Sequence, residues 1–284
     1  MKKIKKRFKS VVLIPIVLCV MSRLHAQESD VALSPLADAL VVSGSFALVL
    51  TSELFLGLQK SNVPAVIDIC TINTLDKGAV FPYSETADVV SDFTQYAVAL
   101  SPALLAIGTI SRDWLNIGVM YFESTAIAFS VKNILKLAVT RYRPYMYYDT
   151  LPAEIIADGD YANSFPSGHS ALSFNAATFL TYMFAYYHPK SFWTIPVAVG
   201  SYGIAVVTTL LRVTSGSHFV TDVLAGATIG TLSGFLVPFL HMKRKGADNK
   251  KEIAVFMRIG INTINSNSHF SRQPLYGMIV DLSV

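Results

Sequence analysis

Five stretches of this chain, at about 95–110, 115–139, 170–187, 192–213 and 222–240, are apolar over lengths close to that of a membrane-crossing helix. A helical span needs ~20 mostly apolar residues. Runs of this length and apolarity are expected to be membrane helices, in which the backbone bonds within its own segment. A sixth stretch, 36–59, carries Glu53 near its end. The composition agrees: 52% of residues are hydrophobic and 15% charged, against roughly 25% charged in soluble domains. The expected fold class is therefore all-α, a polytopic membrane helical bundle of five or six spans.

The ends of the chain read differently. Residues 1–26 form either a signal peptide or an N-terminal anchor, with Lys2, Lys3, Lys5, Lys6, Arg7 and Lys9 ahead of an apolar stretch at 11–21. That stretch is shorter than a span and fits a secretory leader ending at Ala26. Residues 27–94 hold the first apolar segment and a polar external loop with Asp68, Asp76, Glu85, Asp88 and Asp92; 95–242 form the helical core; 243–284 form a basic juxtamembrane segment and a tail. In the tail, 253–259 and 275–284 have the look of short strands. Cys19 and Cys70 are the two thiols; with Cys19 in the leader they define no disulfide framework. The net charge of +4 has no basic stripe across a soluble face, so nucleic acid is not an expected partner.

Lysine and arginine in short loops set orientation. Lys243, Arg244, Lys245, Lys250 and Lys251 place the end of the last run inside, and Arg112 and Lys190 agree. The loops at 140–169 and 212–222 then lie outside. A cleaved leader would put residue 27 outside as well, which is consistent only if 36–59 does not cross fully. Glu53, costly at depth, favours that five-span arrangement.

Three segments carry the chemistry. Lys136 and Arg143 are seven residues apart, two helical turns on one face, and Pro144 follows. An arginine fork and a lysine point charge suit phosphoryl oxygens; alone, the pair also fits snorkelling interfacial cations. Pro166-Ser167-Gly168-His169 opens an apolar run. A helix N-terminus presents free amides to an anion, Ser167 adds a hydroxyl, Gly168 allows close approach, and His169 offers a proton. Its plain structural alternative is an N-cap and an interfacial histidine. Arg212, His218 and Asp222 complete the set. His218 and Asp222 share a helical face, where the carboxylate can hold one ring nitrogen while the other attacks, and Arg212 shares the charge of the transferring group.

Together, in this order and on one side, these segments resemble the type 2 phosphatidic acid phosphatase and vanadium haloperoxidase superfamily. The matching positions are Lys136, Arg143, Pro144, Pro166, Ser167, Gly168, His169, Arg212, His218 and Asp222, with Leu211 standing where the family usually has serine. The resemblance covers about 95–240 and implies specific roles. His218 would form a phosphohistidine, with Asp222 orienting its ring, and His169 would protonate the leaving oxygen. Lys136, Arg143, Ser167, Gly168 and Arg212 would bind phosphate. It further implies a metal-independent reaction with no cofactor, and no carboxylate cluster in the sequence suits magnesium.

The expected function is a membrane phosphatase acting on a lipid phosphate or diphosphate monoester, partnered by membrane lipids. The site would lie at the external ends of the helices, facing the periplasm or exterior of a bacterial-type inner membrane. A lipid phosphotransferase on the same site and a vanadate-dependent haloperoxidase are the alternatives. Arg141 fits either an anchor or a site residue, and Lys132 snorkelling or a lipid contact. Glu123 reads as a polar contact between helices or a functional group. Tyr142, Tyr145, Tyr147 and Tyr148 read as an interfacial belt or a grip on lipid, and Trp114 and Trp193 as inner-face belt residues. His188, His241 and His269 have no assigned role.

Overall fold

The computed structural model describes residues 35–58, 67–107, 109, 113–148, 155–156 and 159–244. Six long helices carry the fold: α1 Pro35–Leu58, α2 Glu85–Leu100, α3 Trp114–Ala138, α4 Gly168–Tyr187, α5 Thr194–Thr214 and α6 Val220–Arg244. Among the described residues there is no strand, only an isolated bridge between Arg141 and Asn163. Among the described residues, four segments are long and apolar enough to cross a membrane: Ala39–Leu58, Glu85–Ala106, Thr194–Thr214 and Val220–Met242. The all-α membrane bundle expected from the sequence is the fold observed. The leader, the tail strands and His269 lie outside the described residues.

Two expectations change. The segment at 36–59 does not stop short: α1 runs parallel to α3 along its length. Val42 shares a buried cluster with Ile117 and Met120. Farther along, the Ser45 carbonyl accepts Ser130 Oγ (3.1 Å), and Asn133 Nδ2 donates to Ser52 Oγ (3.0 Å) and Glu53 Oε1 (2.9 Å). Glu53 is tolerated because it sits in the last two turns with a partner. The polar loop also ends earlier than expected. α2 begins at Glu85, capped by Ser84, which accepts from Ala87 N, with Glu85 and Asp88 in the first turn. A cap and first-turn acids stabilise a helix start, so the acidic residues that looked like loop are helix.

α4 is the central helix, packed against α6, α5, α3 and α2. Its seam with α6 is built on small residues. Cβ atoms at Gly226, Gly230 and Gly234 would overlap the carbonyl oxygens of Ser167, Ala171 and Asn175. Glycines four residues apart let two backbones touch, a pattern suited to packing where lipid removes the hydrophobic drive. Asn175 bonds across the seam to Ser233 Oγ (2.9 Å) and accepts Thr125 Oγ1 from α3 (3.1 Å). Glu123 of α3 meets His241 of α6 at 3.4 Å, a polar contact between helices. Large apolar side chains such as Leu48, Phe93, Val206 and Leu232 face outward, as a lipid-facing surface requires.

The loops at one end are well packed. Tyr142 stacks on Tyr161, Tyr145 meets Tyr83 edge-on, Tyr147 meets Phe219, and Tyr148 Oη donates to the Val80 carbonyl (2.8 Å). These tyrosines build the site loops rather than a belt.

Gly230→Leu forces side-chain atoms into the Ala171 backbone. Overpacking of this kind typically costs about 1–3 kcal/mol, so thermal unfolding in detergent should show a clear loss of stability. An unchanged midpoint would mean the seam is looser than described.

Candidate active site

The two helix starts and the loops between them converge at one end of the bundle. Ser167 caps α4, its Oγ accepting Ser170 N and its own N–H donating to the Asp222 carbonyl (3.0 Å). Its hydroxyl hydrogen remains for an acceptor in the cleft. Gly168 follows with the Lys132 side chain laid against it, 3.2 Å from where a Cβ would stand. In the facing loop, α5 ends at Thr214 with Ser215 as its C-cap, and Gly216 follows, whose φ of +71° and closeness to the Phe81 and Pro82 carbonyls require glycine. That turn carries Ser217 and His218 back over the site, with His218 N–H donating to the Arg212 carbonyl (3.1 Å).

Lys136, Arg143 and Arg212 are buried, at 8%, 6% and 5% exposure. Each meets a carboxylate or carbonyl. Arg143 donates from Nε to the Asp160 carbonyl (3.0 Å), from one terminal nitrogen to the Ser217 carbonyl (3.3 Å) and from the other to the Asp160 carboxylate. Lys136 Nζ lies 3.7 Å from the same carboxylate. Burial alone would raise the Asp160 carboxyl, yet Arg143 and Lys136 outweigh it and hold it down at about 2. Arg212 bonds Asp88 and Ser91 Oγ (3.0 Å), and Ser217 Oγ donates to the same Asp88 oxygen (3.0 Å).

His218 is fully enclosed. Its Nδ1 lies 2.7 Å from the Ser164 carbonyl. A carbonyl only accepts, so Nδ1 carries the hydrogen and Nε2 keeps its lone pair. Burial, then Arg143, Arg212 and Lys136, push the imidazole well below its usual range, which keeps it neutral. His169 Nε2 faces Asp92 Oδ1 at 2.6 Å.

The part expected of Asp222 differs in detail. Its Oδ2 is 3.9 Å from His218 Nδ1, too far for a hydrogen bond. Asp222 instead accepts Ser164 Oγ (2.5 Å) and Phe219 N (2.9 Å), so it fixes the residue whose carbonyl fixes His218. Spacing places Asp222 beside His218 but cannot show that a backbone carbonyl stands between them. Behind it, Arg141 bonds Asp222, Thr221 Oγ1 (2.8 Å) and Asp76 Oδ2 (2.6 Å), and lies over the Phe219 ring. Asp76 also accepts Thr221 N–H and Oγ1 (3.0 and 2.6 Å). Burial would raise the Asp76 carboxyl; its bonds to Thr221, Arg141 and Asn73 lower it instead. Arg141 is thus a strut of the site.

All eight candidate residues meet at this end. Sequence reasoning missed Asp88, Asp92, Asp160, Asp76 and Ser164. Asp88 and Asp92 are four apart and so share a helical face, a signal hidden while that stretch read as loop.

The family profile described as PAP2 superfamily matches residues 117–245. The chain is 32% identical over 169 residues to the bacitracin transport permease protein BcrC of Bacillus licheniformis, covering 58% of this chain and 75% of that one. It is 39% identical over 126 residues to the lipid A 1-phosphatase of Porphyromonas gingivalis, covering 44% of this chain and 24% of that one. The solved structure of a transmembrane PAP2 type phosphatidylglycerolphosphate phosphatase from Bacillus subtilis aligns with a TM-score of 0.42 at 21% identity, over 72% of this chain and 98% of that one.

Arg141→Ala strips the shared cation from Asp76 and Asp222. Removing one partner of a buried pair typically costs about 3–5 kcal/mol, and unfolding in detergent should register a loss of that order. A variant as stable as the parent would show that the two carboxylates do not depend on Arg141.

Proposed function

The chain belongs to the PAP2 superfamily, and from that premise we propose that it is a membrane phosphatase hydrolysing a lipid phosphate or diphosphate monoester through a phosphohistidine. The observation that carries the reading is His218. Its Nδ1–H is held by the Ser164 carbonyl, so a neutral Nε2 lone pair is available among three buried cations.

In this mechanism Lys136, Arg143 and Arg212, with the Ser167 hydroxyl and the α4 amides beyond Gly168, take the phosphoryl oxygens. Catalysis of phosphoryl transfer is mostly positioning and charge stabilisation, and these groups supply both. His218 Nε2 attacks phosphorus in line with the leaving oxygen. As that P–O bond breaks, its electron pair takes a proton from His169. A water then displaces His218 from phosphorus, giving its proton to the now neutral His169, and inorganic phosphate leaves. Asp222 and Arg141 keep Ser164, and through it His218, in register.

Metal independence is supported by how the carboxylates are used. Asp88 is engaged by Arg212, Asp160 by Arg143 and Lys136, and Asp76 and Asp222 by Arg141. A lipid substrate is supported by the site's place at the end of helices with apolar outer faces, and by the lipid named for one relative. An exterior-facing site is supported by charge: Lys190, between α4 and α5, and the C-terminal turn of α6 with Lys243 and Arg244 lie at the end away from the site, which the bias for interior lysine and arginine makes the inner one. The start of α1 is at that same inner end.

Phosphate release should persist in EDTA and disappear in His218→Ala, a loss of at least about 10³-fold for removal of a nucleophile. Lipid phosphates dispersed in detergent, with the variant's fold checked by its unfolding midpoint, provide the assay. Activity abolished by EDTA, or retained by the variant, would overturn the mechanism.

A further inference from the structure

α2 contributes to the site although it precedes the segment that the family profile matches, 117–245. Two acidic residues on one face, Asp88 and Asp92, point at the cleft: Asp88 engages Arg212 and Ser217, and Asp92 Oδ1 lies 2.6 Å from His169 Nε2. The mechanism above asks a difficult thing of His169. It must start as the imidazolium to protonate a leaving oxygen, yet its surroundings oppose that charge. Burial and Arg212, Arg143 and Lys136 all disfavour a second ring proton, and Asp88 favours it. Even with Asp92 in place the ring is held down at about 3, so the second proton also depends on an incoming phosphate offsetting those cations. We propose that Asp92 is the positioning residue of the acid–base histidine, holding the His169 ring and sustaining its protonated form. The proposal rests on the phosphatase reading and deepens it.

The chemistry balances with no further reactant. With a phosphate offsetting Arg212, Arg143 and Lys136, the imidazolium donates Nε2–H to the Asp92 carboxylate, and the ring's other nitrogen carries the transferable proton. When P–O breaks, that proton goes to the leaving oxygen and the ring stays neutral, still bonded to Asp92. In the second half the same nitrogen takes a proton from the attacking water and the ion pair is restored. Asp92 neither gains nor loses a proton. A carboxylate that fixes one imidazole nitrogen while the other works is the logic of an acid-supported histidine. Here it serves the general acid rather than the nucleophile, which has the Ser164 carbonyl in that place.

This role separates from a merely structural ion pair by leaving group and by pH. Nitrophenolate departs without a proton; an alkoxide does not. Asp92→Asn should therefore lower kcat on dodecyl phosphate by about tenfold more than on nitrophenyl phosphate, a differential set by acid catalysis. The alkaline limb of kcat should also move. The groups facing the ring are Asp88 and Asp92 of α2, Arg212 of α5, Lys136 of α3, and Arg143 and His218 of the site loops. Removing Asp92 takes away an anion that favours the imidazolium, so the ring loses its proton at lower pH and the limb shifts down by about one unit. Asp92→Glu should restore part of both effects. Equal losses on the two esters with an unmoved limb would overturn the proposal. So would wild-type behaviour of Asp92→Asn on dodecyl phosphate. Failure of the parent protein to release phosphate from either ester would instead overturn the phosphatase reading on which it rests.

Discussion

Three cations buried at the end of an apolar bundle set the conditions for everything around them. Taking a charge out of water costs several kcal/mol, and burial is tolerated only with partners in good geometry. Lys136, Arg143 and Arg212 meet that condition through Asp160, Asp88 and the Ser217 carbonyl. The partners come from α2, from the loop before α4 and from the turn after α5, so the cradle also ties together elements distant in sequence. An incoming phosphate offers the same cations several anionic oxygens at once. The resting carboxylates thus keep the site folded and define what a substrate must replace.

The rigidity of that arrangement comes from below. α4 begins at the cleft and is pressed onto α6 by the glycines at 226, 230 and 234, so Ser167 and Asp222 are linked backbone to backbone. A site built on helix ends that cannot slide is held more tightly than one on loops alone. The loops that do contribute are clamped: Gly216 packs on the Phe81 and Pro82 carbonyls, and Tyr145 N–H donates to the Gly216 carbonyl (3.0 Å).

Much of this was legible in the sequence, for identifiable reasons. The apolar runs announced helices, and the ten motif positions converge where their spacing implied. What stayed hidden was whatever carries no motif. Asp160 is one acid in a loop, and Asp76 another. Asp88 and Asp92 read as loop because acidic residues lower apparent hydropathy at a helix start, although Ser84 ahead of them was a usable cap signal. Full crossing at 36–59 was doubted because of Glu53, whose partner Asn133 is 80 residues away in sequence. Ser164 acts through its backbone carbonyl, which no side-chain pattern can display. Long-range partners and main-chain acceptors are products of packing.

The central claim is that a neutral His218 takes the phosphoryl group onto Nε2. The most direct measurement is rapid acid-free quench of the protein with phosphorus-labelled substrate, followed by mapping of the labelled residue. The account predicts a transient phosphoramidate on His218, stable in alkali and labile in acid. Label on another residue would contradict it. So would turnover with inversion at phosphorus and no labelled protein, since that outcome means water attacks the substrate directly.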